Sequence, residues 1–395
     1  MYIPRKAESL LHQLAEGYPV LAVTGPRQSG KTTLTRHAFP NHDYISLEEI
    51  DNREYAESDP RGFLAQFSHG VIIDEAQRCP ALFSYIQGLA DDRQQMGEFI
   101  LTGSQQFSLL TGITQSLAGR CALVTLLPLE LGELRAAEKM PSSLDQLLFM
   151  GSYPPLYDRK LDPQQWCGNY VRTYLDRDVR QLVNIQNLSD FQRFMRLCAA
   201  RTGQILNLSS LGAECGVSHN TIKAWISVLE ASFILHLLQP HHKNFNKRLI
   251  KSPKLYFLDT GLAAWLMGIQ SHEQLAIHPA RGALFESWVV SQLLKSRYNR
   301  GLEPNLYFWR DRTGHEIDII IDNGLTLDAL EIKSGQTINK DFFKGLNYWS
   351  RLIGSEEGAK GGHGLYLVFG GERKQYRSGI SVIPWNELDG LTDKA

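Results

Sequence analysis

A chain of 395 residues is too long for one hydrophobic core, so two or three domains are expected. Its 43% hydrophobic and 21% charged residues exclude a disordered or fibrous protein, and no apolar run reaches the roughly 18 residues of a membrane span. With 41 basic against 42 acidic residues, the net charge of −1 argues against a generally cationic nucleic-acid binder while leaving room for local basic patches.

The charge is unevenly spread. Residues 43–59 carry seven acids and one arginine, whereas 231–258 carry five Lys or Arg and no acid. A stretch of the second kind is either a polyanion-facing surface or a solvated hairpin. The five cysteines are scattered and form no CxxC pair, so neither a disulfide framework nor a structural zinc site is expected. The first residues lack the apolar core of a signal peptide. A cytoplasmic protein with no membrane partner is the expectation.

The first 135 residues alternate apolar strands with helical patterns, which predicts a parallel α/β sheet. Candidate strands are Val20–Thr24, Val71–Asp74, Phe99–Thr102 and Leu123–Leu126. The first runs into Gly25-Pro-Arg-Gln-Ser-Gly-Lys-Thr32, the GxxxxGK[ST] pattern of a P-loop, and a helix is expected to open after it. Gly25, Gln28, Ser29, Gly30, Lys31, Thr32 and Thr33 form the expected ATP-phosphate cradle. Its backbone N–H groups point inward at a helix N-terminus. Lys31 supplies charge to the β- and γ-phosphates and Thr32 a hydroxyl to Mg²⁺. Some 40 residues on, a buried strand ends in Asp74-Glu75. Asp74 is the expected magnesium partner, and Glu75 the base that polarises the attacking water. Thr102-Gly103-Ser104, at the tip of a third strand beside the acidic one, either senses the γ-phosphate, with Ser104 as the candidate, or is an ordinary strand-ending turn. Arg120 is either an arginine finger reaching a neighbouring subunit in a homo-oligomer or a plain surface arginine.

At this point the sequence resembles a known family. GPRQSGKTTL, IIDEAQ, FILTGSQQF, SLAGR and LPLEL are similar to motifs of prokaryotic AAA-type ATPases that carry a restriction-endonuclease-like C-terminal domain. Residues 170–178 (YVRTYLDRD), 251–259 (KSPKLYFLD) and 282–286 (GALFE) extend the resemblance over nearly the whole chain. It implies an AAA-type core, expected at 1–135, a helical lid at 136–202, a winged helix at 203–265 and a nuclease-like domain at 270–395.

The winged-helix expectation also has its own basis in the residues. Residues 206–226 have a helix-turn-helix cadence, with Gly216-Val217 as the turn and Ser218 capping a second helix. That helix shows His219, Asn220, Thr221 and Lys223 in its first turn. Strands at 233–239 and 253–258 then form a wing tipped by Lys243, Lys247, Arg248 and Lys251. Basic residues there suit phosphate contacts; a purely structural module reads the same way.

In the last third, a helix is expected at 281–297, strands near 307 and 365, and a hairpin about Asn323-Gly324. A two-residue loop places Asp318 opposite Ala329, with Glu331 and Lys333 on the same face. Charges converging on a strand pair otherwise rich in Ile and Leu need a reason. Metal-dependent phosphodiester cleavage supplies one. Asp318 and Glu331 would hold Mg²⁺ or Mn²⁺, and Lys333 would activate water and stabilise charge on phosphorus. The set resembles a PD-(D/E)xK nuclease site, with Ile317 where the proline usually stands. That resemblance implies Glu286, on the upstream helix, as a further metal ligand.

The expected function is therefore an ATPase that couples nucleotide state to nucleic-acid binding, DNA foremost, and to metal-dependent cleavage. The alternative is a regulatory ATPase switch whose C-terminal domain binds partners without cutting.

Overall fold

The computed structural model describes residues 2–104, 109, 112, 113, 115–175, 188–241, 250–354 and 363–392. Val20–Thr24 (β1) has every residue buried, as a strand covered on both faces must. It lies in a five-stranded sheet with Asp43–Ser46 (β2), Val71–Asp74 (β3), Phe99–Gly103 (β4) and Cys121–Thr125 (β5), in the order β2-β3-β4-β1-β5. All of its pairs are parallel. The C-terminal tips of β1, β4 and β3 therefore stand side by side, and the loops that leave them converge. β2, from the acid-rich stretch, was not among the candidate strands. It is an edge strand whose side chains are at most half-buried, so its sequence carries little apolar signal.

Helices follow over residues 131–170 and 188–200. Then come Leu208–Cys215 and His219–Ala231, the two helices of the expected helix-turn-helix. Asn207 caps the first and Ser218 the second. Gly216 ends the first at φ 73°, a left-handed conformation that favours glycine.

A second sheet of nine strands contains Gln204–Ile205 (β6), Leu235–Pro240 (β7), Lys254–Phe257 (β8), Leu306–Arg310 (β9), Glu316–Asp322 (β10), Leu327–Lys333 (β11), Leu365–Phe369 (β12), Gln375–Arg377 (β13) and Ile380–Pro384 (β14). Its order is β13-β14-β12-β11-β10-β9-β7-β8-β6. The β7–β8 hairpin follows the helix-turn-helix as expected, but β7 also pairs in parallel with β9. The sheet thus crosses from 203–265 into 270–395. One buried cluster joins Leu127, Phe191, Trp225, Leu284, Ile332 and Leu388. The regions expected separately over 136–202, 203–265 and 270–395 share that core.

One expected register is corrected. In β10–β11, Ile320 stands opposite Ala329 and Asp322 opposite Leu327, so Asp318 is not level with Ala329. The loop holds four residues, 323–326, rather than two. Asn323 N–H donates to the Thr326 carbonyl at 3.0 Å, and Leu325 is 94% exposed, outside the strand altogether. Lys243, Lys247 and Arg248 of the expected wing tip, and residues 176–178 of the YVRTYLDRD motif, lie outside the described residues.

Candidate functional site

The P-loop leaves the tip of β1 and enters helix Lys31–Ala38. Gly25 has φ 148°, and a Cβ built on it would stand 2.1 Å from the Leu126 carbonyl oxygen, so only glycine fits. Lys31 is buried; its Nζ donates to the Gly25 and Pro26 carbonyls at 3.0 and 2.8 Å. Burial pushes its ammonium down to about 8. Trp166 Nε1 donates to Gln28 Oε1 at 3.0 Å and braces the loop from the helical region. Beneath the loop, Arg5 donates to the Ser29 and Leu127 carbonyls, both at 2.7 Å, and pairs with Glu133 at 3.0 Å.

Asp74, at the tip of β3, accepts from Thr32 Oγ1 at 3.0 Å and Tyr44 Oη at 2.9 Å, and also from Thr102 Oγ1. Thr102 belongs to β4, which lies between β1 and β3, so the strand order itself delivers this hydroxyl. Glu75 follows with φ 55°, left-handed for a non-glycine residue. Such strain concentrates at working sites. Gln77 Nε2 and Ser104 Oγ both donate to its Oε2, Ser104 at 3.0 Å. Lys31, Thr32, Asp74, Glu75 and Ser104 are thus brought together. Arg120 is not. Val20 N–H donates to its carbonyl at 3.3 Å, so it stands at the opposite end of β1, about 13 Å from the loop by strand rise. Its guanidinium pairs with Asp91.

The second constellation lies on β10 and β11. The β9–β10 register shifts between Ile317 and Ile320, a bulge that contains Asp318; bulges re-aim side chains in this way. Asp318 Oδ2 accepts from Ile332 N–H at 2.8 Å. Lys333 Nζ lies 2.7 Å from Glu331 Oε2 and 3.5 Å from Asp318 Oδ2. Burial and the adjacent Asp318 charge push the Glu331 carboxyl up to about 8. Burial acts the same way on Asp318, but Lys333 and Lys254 hold its carboxyl below the usual range.

Glu286, on helix Arg281–Asn299, faces other partners. Its Oε1 accepts from Lys254 Nζ at 3.0 Å and from Tyr256 Oη. Among the described residues no group of three or more His, Cys, Asp or Glu side chains is arranged to hold a metal ion. The two close carboxylates Asp318 and Glu331 do fit a single divalent cation, because a cation in place of the Glu331 proton relieves their repulsion. They open into a 660 Å³ cleft lined also by Lys344, Arg351, His315 and Tyr348, the last two stacked with ring centres 3.8 Å apart.

Lys254 and Tyr256 carried no assignment from sequence. They sit in KSPKLYF, where strand alternation puts both on one face. Gln77, Tyr44 and Arg5 were missed as well. Tyr44 and Arg5 act through contacts distant in sequence, whereas Gln77 lies only two residues beyond the Glu75 it holds.

A model described as "AAA domain" matches residues 17–135. Two described as domains of unknown function match residues 141–273 (DUF8612) and 281–388 (DUF4143). The uncharacterized protein Rv2008c of Mycobacterium tuberculosis is 32% identical over 339 residues, covering 84% of this chain and 74% of the relative. The chain belongs to the family of that protein. The uncharacterized protein Mb2031c of Mycobacterium bovis matches with the same identity and coverage. With its AAA domain, this member of the family is an ATPase of the AAA, P-loop type that uses ATP. Among solved structures, the Walker-type ATPase PABY2304 of Pyrococcus abyssi is 16% identical, covers 67% of this chain and 96% of its own, and has a TM-score of 0.46. AMPPCP-bound DnaA of Aquifex aeolicus is 16% identical, covers 57% and 85%, and scores 0.28. At these scores neither likeness carries an inference. Among the described residues no helix is long and apolar enough to cross a membrane.

Proposed function

We propose that this ATPase couples its nucleotide state to a metal-dependent phosphodiesterase site acting on nucleic acid, with DNA as the substrate. The observation that carries the reading is the Asp318–Glu331–Lys333 group, its two carboxylates buried at the base of a cleft whose wall presents Lys344, Arg351 and the His315–Tyr348 stack. Cations suit phosphates, and a stacked aromatic face suits a base. On this reading residues 270–395 are a restriction-endonuclease-like domain and 203–265 a winged helix that contacts the duplex. Residues 136–202 serve as the lid of the AAA-type core at 1–135.

At the ATP site, the P-loop backbone binds the phosphates with Lys31. Thr32 and Asp74 would hold Mg²⁺, Glu75 takes a proton from water, and Ser104 reports the γ-phosphate through its bond to Glu75. A 290 Å³ cavity beside Gly30 and Thr33, lined by Tyr2, His37, Pro154 and Asp158, suits the nucleotide base. Arg120 acts on the next subunit of a homo-oligomer, since its place at the far end of β1 bars it from its own loop. At the second site, Asp318 and Glu331 hold Mg²⁺ or Mn²⁺, which supplies Lewis-acid polarisation of the phosphoryl oxygen when bound. Lys333 orients the water and stabilises the developing charge. The whole is a cytoplasmic machine.

The second reading, a switch that binds without cutting, draws on the absence of a three-ligand metal cluster among the described residues. Labelled duplex, forked and junction DNA, with Mn²⁺ or Mg²⁺ and with or without ATP, separates the two. Cleavage that Asp318→Ala abolishes while ATPase persists supports the first. No cleavage of any substrate by an ATP-hydrolysing preparation selects the second.

A further inference from the structure

Besides Lys333, the carboxylate site contains a second lysine, which comes from the second of the two strands that follow the helix-turn-helix. Lys254 lies on β8 and is 3% exposed. Its Nζ is 3.0 Å from Glu286 Oε1 and also contacts Glu316 Oε1. Both carboxylates have a further partner. Glu286 Oε1 accepts from Tyr256 Oη as well, and Glu316 Oε2 pairs with Arg310 at 3.2 Å. Asp318 and Glu331, by contrast, both pair with the more exposed Lys333.

A buried ammonium held between two carboxylates cannot leave without stranding both charges, which makes it a fixture rather than a competitor for passing ions. We propose that Lys254 is a resident cation of this site. It claims Glu286 and Glu316 as its own counter-ions and so confines divalent-ion binding to one ion on Asp318 and Glu331. This rests on the reading of Asp318 and Glu331 as metal ligands. Lys254 is then a positioning residue: its charge sets how many ions enter. Because β8 is hydrogen-bonded to both β6 and β7, which flank the helix-turn-helix in the chain, that segment contributes directly to the charge balance of the site.

The test is Mn²⁺ binding by the full chain without nucleotide, followed by electron paramagnetic resonance of free Mn²⁺, in an Asp74→Asn background that removes the β3 carboxylate of the ATP site. One ion per chain is expected. Asp318→Asn lowers the affinity by about a hundredfold, whereas Glu286→Gln, which keeps an acceptor for Lys254 and Tyr256, changes it by less than about tenfold. Lys254→Met frees Glu286 and Glu316 and raises the count to two ions. Should Lys254→Met lose its near-ultraviolet circular dichroism, the Glu286→Gln result decides. Two ions in the unmodified site, or Glu286→Gln as damaging as Asp318→Asn, overturns the proposal. Mn²⁺ binding that is absent, or indifferent to Asp318→Asn, overturns the metal-site reading itself, and this inference with it.

Discussion

Glu75 is the residue on which the hydrolytic assignment turns. Its backbone is left-handed and its Oε2 is held by Gln77 and Ser104. Glu75→Gln preserves size and hydrogen bonding but removes the base. ATP affinity is expected to stay within a few-fold while turnover falls by about 10²–10⁴. Isothermal titration beside phosphate release checks this, and normal turnover would assign the base elsewhere. Glu331 makes a second prediction, about pH. Burial and Asp318 raise its carboxyl from 4.5 to about 8. Between those values the folded chain keeps a proton that the unfolded chain has released. The stabilisation is therefore full below the unfolded value and is lost as pH rises through about 8. Urea unfolding without divalent ions should show wild type losing stability relative to Glu331→Gln, which has no carboxyl to titrate, from about pH 5 to 8. A pH-independent difference would mean that no such proton is held.

Among the elements, the P-loop depends on backbone geometry as much as on its lysine. Gly25 combines a positive φ with contact to the Leu126 carbonyl, while Gly216 has a positive φ and open space around its would-be Cβ. Gly25→Ala is expected to cost several kcal/mol and abolish ATP binding. Gly216→Ala should cost only about 1–2 kcal/mol and leave ATP binding intact, since backbone strain is its sole penalty. Thermal melts with and without ATP compare the two; equal effects would remove the Leu126 contact from the explanation. The strands show how far sequence reads at this scale. β1 and β3 are apolar runs ended by recognisable tips, and both stand where expected. The β10–β11 loop was misjudged because Asn323-Gly324 favours a two-residue turn locally, whereas the burial of Leu327 and the pairing of Ile320 with Ala329 set the longer loop.

For the whole molecule, a buried polar seam joins the ATPase core to the rest. Arg5 links the Ser29 carbonyl to Glu133. Gln292 accepts from Leu131 N–H, Lys295 donates to the Leu129 carbonyl, and Asn299 donates to Glu130. These last three residues lie on the helix that carries Glu286 at its other end. Arg5→Ala removes the buried cation that pairs with Glu133, leaving that carboxylate only its backbone N–H donors, and takes a donor from two carbonyls, so a loss of about 3–5 kcal/mol in urea unfolding is expected, together with weaker ATP binding. Unchanged stability would show that the seam contributes nothing net.

Much of this protein was legible in its sequence, for an identifiable reason. The P-loop, Asp74-Glu75, the capped helix-turn-helix and the Asp318–Glu331–Lys333 set are patterns confined to short stretches of chain, whose residue types state the chemistry. The tertiary structure alone decided what depends on neighbours far along the chain: Thr102 and Tyr44 on Asp74, Trp166 on the loop, and Arg120 at the wrong end of β1 for its own phosphates. The same holds for Lys254 and Tyr256 on Glu286, and for a sheet and core shared across the expected boundaries. Such contacts follow from strand order and packing, to which residues distant in sequence contribute jointly, and no short window of sequence contains them.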